Sequence, residues 1–404
     1  MKQILCFSLC VILLLSVAGC SNNTAKDEAD YRVPNPMQYP VYTFETTPDA
    51  MEMRMTAVRA MRDILSIQWC TEKEITYKKN GPVSGKQFLH EPGKTFAGIL
   101  YSSASSGLFQ FLEYYNTETG ALEYEGTADE LKLLLGASCA DSLLWAWSTV
   151  CNSVSGGFYP VLMVPANGYY PVGEYEIREN IASFNEYPSH AIIENTPENV
   201  MLESYAAMLP ADALLSTPKN HAMMVIEAPV VVYNADGTID PASSYVMIQD
   251  QRGGQNSTSF YEVEENGTTL HFSGRTSAQV TFQKLYEDRY IPVTCAEFLG
   301  LKPYEKATVS VNTQATSIGA LSDVTVTSNY PLAVINLVGT DSVGNKMIVG
   351  RTCFSGSATQ GVPRQYCLDM MDGIDTLSSS DYTSVFVEVV VSTGERFIPI
   401  EITQ

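Results

Sequence analysis

The sequence predicts an α+β protein in which helices lead and strands follow. Apolar residues recur at helical spacing in two capped segments of the first 150 or so positions, and strand-like runs dominate from about residue 209 onward. The 23 tyrosines, 27 glycines and 20 prolines fit a chain rich in strands and turns. A length of 404 residues allows two or three domains, each with its own core. With 45% hydrophobic and 17% charged residues, a disordered chain is excluded. The net charge of −21 argues against a nucleic-acid partner, whose phosphates are met by basic patches.

Residues 1–19 have the layout of a secretory signal: Lys2, then an apolar run from Ile4 to Leu15, then small residues. The run is short for a membrane span, which needs about 20 apolar residues. Residues 20–46 are polar and carry Pro34, Pro36 and Pro40, the composition of a tether. The body then divides at about residue 302. In the first part, 47–302, Thr47-Pro48-Asp49 predicts a helix start, and Met51, Met55, Val58, Met61 and Leu65 continue it to about Gln68. Ser138 and Asp141 form an S-x-x-D cap ahead of Leu143, Leu144, Trp147, Val150 and Cys151. Residues 155–205 read as an insertion of loops and short helices. Strands follow at 222–226 and 244–251, on either side of an Asp236-Gly237 turn signal. The second part, 303–404, is strands and turns throughout, for instance 307–311, 324–328, 333–337 and 384–391. That spacing predicts an Ig-like β-sandwich of about 100 residues.

Six cysteines remain beyond the first twenty residues: Cys70, Cys139, Cys151, Cys295, Cys353 and Cys367. Their irregular spacing, with no C-x-x-C pair, gives no zinc pattern, and no metal or cofactor is expected. Asn234, Asp236, Thr238 and Asp240 hint at calcium, but Ile239 stands where the loop needs glycine, so a polar hairpin turn is expected. Turn-rich surroundings make Cys353–Cys367 the expected disulfide. Cys139 stands apart, because the first turn of a helix favours a thiolate.

A cysteine opening a helix, a histidine opening a distant strand and a polar residue on the next strand follow the order of a papain-like cysteine hydrolase. Ser138-Cys139-Ala140-Asp141 resembles the D-C-S-G nucleophile turn of NlpC-type cell-wall peptidases. Leu209-Pro210-Ala211-Asp212-Ala213-Leu214 resembles their L-x-P-G-D-L, and His221-Ala222-Met223-Met224-Val225 their H-V-x-x-V strand. Gly98-Ile99-Leu100-Tyr101 is similar to their G-x-P-Y. The departures are Ser138 and Asp141 around the cysteine, Leu100 for proline and Ala211 for glycine. The likeness spans about residues 48–300. Val17-Ala18-Gly19-Cys20 resembles the bacterial lipobox, which implies that Cys20 carries a lipid and becomes the mature N-terminus.

The resemblance implies a papain-like domain with Cys139 as nucleophile and His221 as general base, ahead of the rivals His90, His190 and His271. It also implies Tyr101 beside the nucleophile. A two-residue turn at Asp236-Gly237 would set position 252 opposite His221, next to Gln251. Gln251 is the favoured partner of the imidazole, because a neutral amide adds no second carboxylate, and Asp250 is the alternative. The expected function is cleavage of an amide bond, in peptidoglycan or another peptide, by a monomer lipid-anchored to the outer face of the cell membrane. The alternatives are a non-catalytic binding lipoprotein on the same fold and a transglutaminase-like acyltransferase.

Overall fold

Asp49, rather than Thr47, starts the first helix, Ala50–Ser66. Its carboxylate accepts from the Glu52 N–H at 2.8 Å, and Glu52 accepts in return from the Asp49 N–H at 3.0 Å. This reciprocal cap satisfies two donors that a helix N-terminus leaves open, which proline at position 48 could not do. The computed structural model describes residues 40–79, 86–154, 160–254, 260–265, 267–356, 361–377 and 382–403. Residues 1–39, with the expected signal segment, Cys20 and most of the expected tether, lie outside the described residues. Within them, no helix is long and apolar enough to cross a membrane.

The chain mixes many strands with few helices, as an α+β class requires. The centre is a six-stranded sheet of Tyr169–Pro171, Ile291–Cys295, Ala213–Ser216, His221–Val225, Tyr245–Gln251 and Gly274–Thr281, in that order, antiparallel throughout. The helix Cys139–Trp147 packs on this sheet and against Ala50–Ser66. All nine of its residues are buried, Asp141 and Ser142 among them, and those two are hydrogen-bonded to the Ser138 N–H and to Gln251. Its two indoles still find partners: Trp145 Nε1 donates to the Ser105 carbonyl and Trp147 Nε1 to that of Ala211.

Arg54 ties the first helix to this core. Its guanidinium, 2% exposed as a residue, bonds Asp212 at 2.6 Å, the Pro210 carbonyl at 2.8 Å and Thr294 at 3.2 Å, and stacks on Phe298. A buried arginine is tolerable only with its donors matched in this way. Ala211, beside it, holds φ at +69°, a left-handed backbone that glycine adopts more easily.

Beyond residue 302, a three-stranded sheet (Val309–Val311, Thr325–Ser328, Gln365–Cys367) and a four-stranded sheet (Lys346–Cys353, Leu332–Thr340, Ser384–Val391, Arg396–Thr403) share a second apolar core. The four-stranded sheet also serves the first core, through Ala333, Val334 and Val390. Between the two lies the buried carboxylate of Glu113, held by Arg351 and Arg396 at 2.9 Å each and by Asn336 at 3.1 Å. Glu388 closes the network from the other side of Asn336 and Arg396. Two carboxylates facing two guanidiniums balance in charge, which makes the burial tolerable.

The expected Cys353–Cys367 disulfide is corrected. Cys353 pairs with Val334 in the four-stranded sheet and Cys367 with Thr325 in the three-stranded one, and both thiols are free. Nearness to turns in sequence does not bring residues of two different sheets together.

Candidate functional site

Ser138 caps the central helix and Cys139 is its first residue. Asp141 accepts from the Ser138 N–H at 2.8 Å, while the Asp141 N–H reaches Ser138 Oγ at 3.5 Å. The segment just before the cap, Gly136–Ala137, pairs in parallel with Leu100–Tyr101. That pairing sets Tyr101 opposite Ala137, two residues from the thiol. Gly136 has to be glycine there, since a Cβ would sit 2.1 Å from Ser102 Oγ and 2.4 Å from the Lys132 carbonyl.

His221 opens its strand beside Cys139, close enough for each side chain to act on the other's titration. The Ala222 backbone also acts on the sulfur, lowering the thiol pKa. His221 Nε2 lies 2.6 Å from Asp250 Oδ2, which leaves Nδ1 for the thiol. Asp250, 0% exposed, is gripped by Arg275: Nε donates to Oδ1 and Nη2 to Oδ2, each at 2.7 Å. The result is a hydrogen-bonded line of His221, Asp250 and Arg275 in the sheet, with Cys139 of the central helix beside the histidine.

Gln251 does not face the histidine. Its Oε1 accepts from Ser142 at 2.9 Å, and its Nε2 donates to the Ile99 carbonyl at 2.8 Å. It ties the central helix to the segment holding Tyr101, on the opposite side of its strand from Asp250. Alternation along a strand allows only one of two neighbours to meet His221, and the geometry selects the aspartate.

The charges in this line support one another. Burial alone would hold the Cys139 thiol neutral, yet the adjacent His221 charge, together with Lys79 and the Ala222 backbone, brings its pKa below the ordinary thiol value. Burial likewise opposes a charged His221, but Cys139 and Asp250 raise it to about 9. Against the cost of burial, hydrogen bonds from His221 and Arg275 lower Asp250 to about 2. These interactions favour a thiolate facing an imidazolium more than either side chain alone in an equally buried place would. Burial keeps the Tyr101 hydroxyl protonated far into the alkaline range, assisted by the charges of Cys139 and Asp250. Lys79 sits 4.5 Å over the Tyr101 ring.

The rival histidines are occupied elsewhere. His90 is packed among Trp69, Tyr77, Phe88, Phe96 and Phe260, and burial lowers its pKa to about 3. His190 is exposed on the helix Ser189–Asn195, so it opens a helix rather than a strand. His271 lies near Glu262 on a separate sheet. Asn234 to Asp240 close on themselves as a hairpin turn through bonds of Thr238 with Asp236 and Asn234.

Arg275 and Lys79 were not legible as site residues. Arg275 enters through its register position directly opposite Asp250, and that depends on an irregularity in strand pairing between Ile248 and Asp250. Bulges of this kind re-aim side chains beside active sites, but no local sequence signal marks this one.

Compared with protein-family models, with curated proteins and with solved structures, the chain gives no match.

Proposed function

We propose that the protein is a cysteine hydrolase of papain-like, NlpC-type organisation that cleaves an amide bond, with peptidoglycan peptides as the substrate class. The observation that carries the reading is the line of His221, Asp250 and Arg275 beside the buried Cys139, whose thiol stands at a capped helix N-terminus. A structural cysteine needs no charged histidine. A nucleophile does, and it also needs the histidine held by a third group. A second support is the backbone at Ala211. It is left-handed at the position where the resembling motif carries glycine, so the turn is kept although the residue differs.

In this reading the thiolate attacks the amide carbon, the C–S bond forms, and the carbonyl electron pair moves onto oxygen. Tyr101 O–H, still protonated, and the backbone N–H groups at the start of the Cys139 helix are suited to meet that oxyanion. His221 then gives its proton to the leaving nitrogen as the C–N bond breaks. Water attacks the thioester, passing a proton to His221, and the C–S bond breaks to release a carboxylic acid and the thiolate. Asp250 holds the His221 ring in both of its protonation states, and Arg275 holds Asp250.

The lipid anchor at Cys20 and the Ig-like character of residues 303–404 belong to the same proposal. The protein would then act on the outer face of the cell membrane, with the second part as a positioning element. One observation favours the non-catalytic alternative: Cys139 is only 3% exposed and His221 8%. The test is digestion of purified peptidoglycan by the full chain and by Cys139→Ala, with fragments analysed by mass. Release of new amino termini by the wild type alone supports hydrolysis. Equal fragments from both, with tight binding by both, would leave the binding protein as the better reading.

A further inference from the structure

Cys151 and Cys295 are both 0% exposed, and their sulfur atoms lie 3.4 Å apart across 144 residues of chain. Cys151 closes the turn after the Cys139–Trp147 helix, where its N–H donates to the Trp147 carbonyl at 2.8 Å. Cys295 ends the Ile291–Cys295 strand, paired with Tyr169. Two rigid elements therefore aim their thiols at one point. Neither thiol touches the Cys139 site, so the chemistry of this pair is independent of the proposed hydrolysis.

We propose that Cys151 and Cys295 form a disulfide that pins the trailing end of the nucleophile helix to the central sheet. A disulfide needs a separation of about 2.05 Å, so the sulfurs, 3.4 Å apart, must close by roughly 1.4 Å. The oxidant is a low-molecular-weight disulfide of the kind found in oxidising compartments. Two protein thiols give up two protons and two electrons, one S–S bond forms, and the oxidant's own S–S bond is cleaved to two thiols. Burial raises the Cys151 thiol well above its ordinary value, so exchange belongs to the folding chain, before the pair is enclosed.

Glu297 lies close enough to make a three-ligand metal cluster with the two cysteines, but the geometry disfavours it. Glu297 Oε1 already accepts from the Asn152 and Ser153 N–H groups, at 3.1 and 2.9 Å, and Oε2 accepts from the Ser153 hydroxyl. Sulfurs on a tetrahedral zinc, with bonds of about 2.3 Å, stand roughly 3.8 Å apart, which is wider than this pair. The cluster also offers three ligands where a structural zinc takes four.

The test uses the full chain, refolded in a glutathione redox buffer with and without zinc, then alkylated in denaturant and digested without reductant. The expected result is a cross-linked peptide pair containing Cys151 and Cys295, two mass units lighter than the two thiols. Cys70, Cys139, Cys353 and Cys367 should be alkylated. A melting temperature several degrees lower in reductant is expected for the wild type, with no such dependence in the Cys151→Ala/Cys295→Ala variant. Full alkylation of both cysteines after refolding in oxidised glutathione would overturn the proposal. Stoichiometric zinc that is lost in the double variant would overturn it too.

Discussion

His221 meets Asp250 although the two are not opposite each other in their sheet. The pairs Met224–Gln249 and Val225–Ile248 fix the register. Extended toward the strand start, that register sets position 252 opposite His221. Asp250 is the neighbour two residues along, on the same face, and such diagonal neighbours are within reach of long side chains. The 2.6 Å contact is a diagonal one, and Arg275 fixes the carboxylate that makes it.

Asp250→Asn is expected to reduce turnover by on the order of 10³-fold, because the amide cannot hold the imidazolium as the carboxylate does. The rate of Cys139 alkylation near pH 6 should fall in parallel. Gln251→Leu should instead lower the melting temperature and leave the pH dependence of alkylation in place. If Gln251→Leu shifts the thiol titration and Asp250→Asn does not, the assignment of partners is wrong.

Activity should be confined to a pH window. The pair is productive once the thiol, whose pKa lies below its ordinary value, has lost its proton. It fails when His221 loses its own near pH 9. The two groups titrate together, so the limbs belong to the pair. The His221 contribution to stability is present in full below its unfolded pKa of about 6.5 and is lost as pH rises through about 9. Kinetic profiles of kcat/KM and chemical denaturation across pH 5–10 measure both. A profile still rising at pH 10 would contradict the ion pair.

Lys79→Met should raise the Cys139 pKa and slow alkylation at pH 6 by roughly two- to fivefold, the range of a partly exposed charge pair. Added salt should narrow the gap between variant and wild type. An unchanged pH–alkylation profile would remove Lys79 from the site's electrostatics.

Ala211→Gly should stabilise the fold by about 1 kcal/mol, since the left-handed backbone is strained for alanine and open to glycine. Thermal denaturation of the pair of proteins measures it. A drop in stability would mean that the alanine methyl, fully buried, contributes more than its backbone costs.

The Cys139 helix was legible because its cap, its apolar run and its cysteine are adjacent in sequence, and local capping chemistry does not wait for the fold. His221 was legible through chain order. The choice between Asp250 and Gln251 turned on parity. An opposed position at 252 puts even-numbered residues on the histidine's face, yet the odd-numbered amide was favoured on grounds of charge. Arg275 and the Cys151–Cys295 approach depend on strand order and on packing over long separations, which no window of sequence contains. Thr47 and Asp49 compete for one cap, and only the backbone decides between them.

Glu113 has a consequence for how the molecule can come apart. Its carboxylate sits in the first half of the chain, and its two guanidinium partners come from the second. Separating the halves would strand a charge in an apolar seam and open the first core where Ala333, Val334 and Val390 plug it. The seam is therefore expected to make the halves melt in one cooperative transition. The boundary near residue 302 divides the sequence by composition, but it is not a place where the chain can be cut and each piece expected to survive.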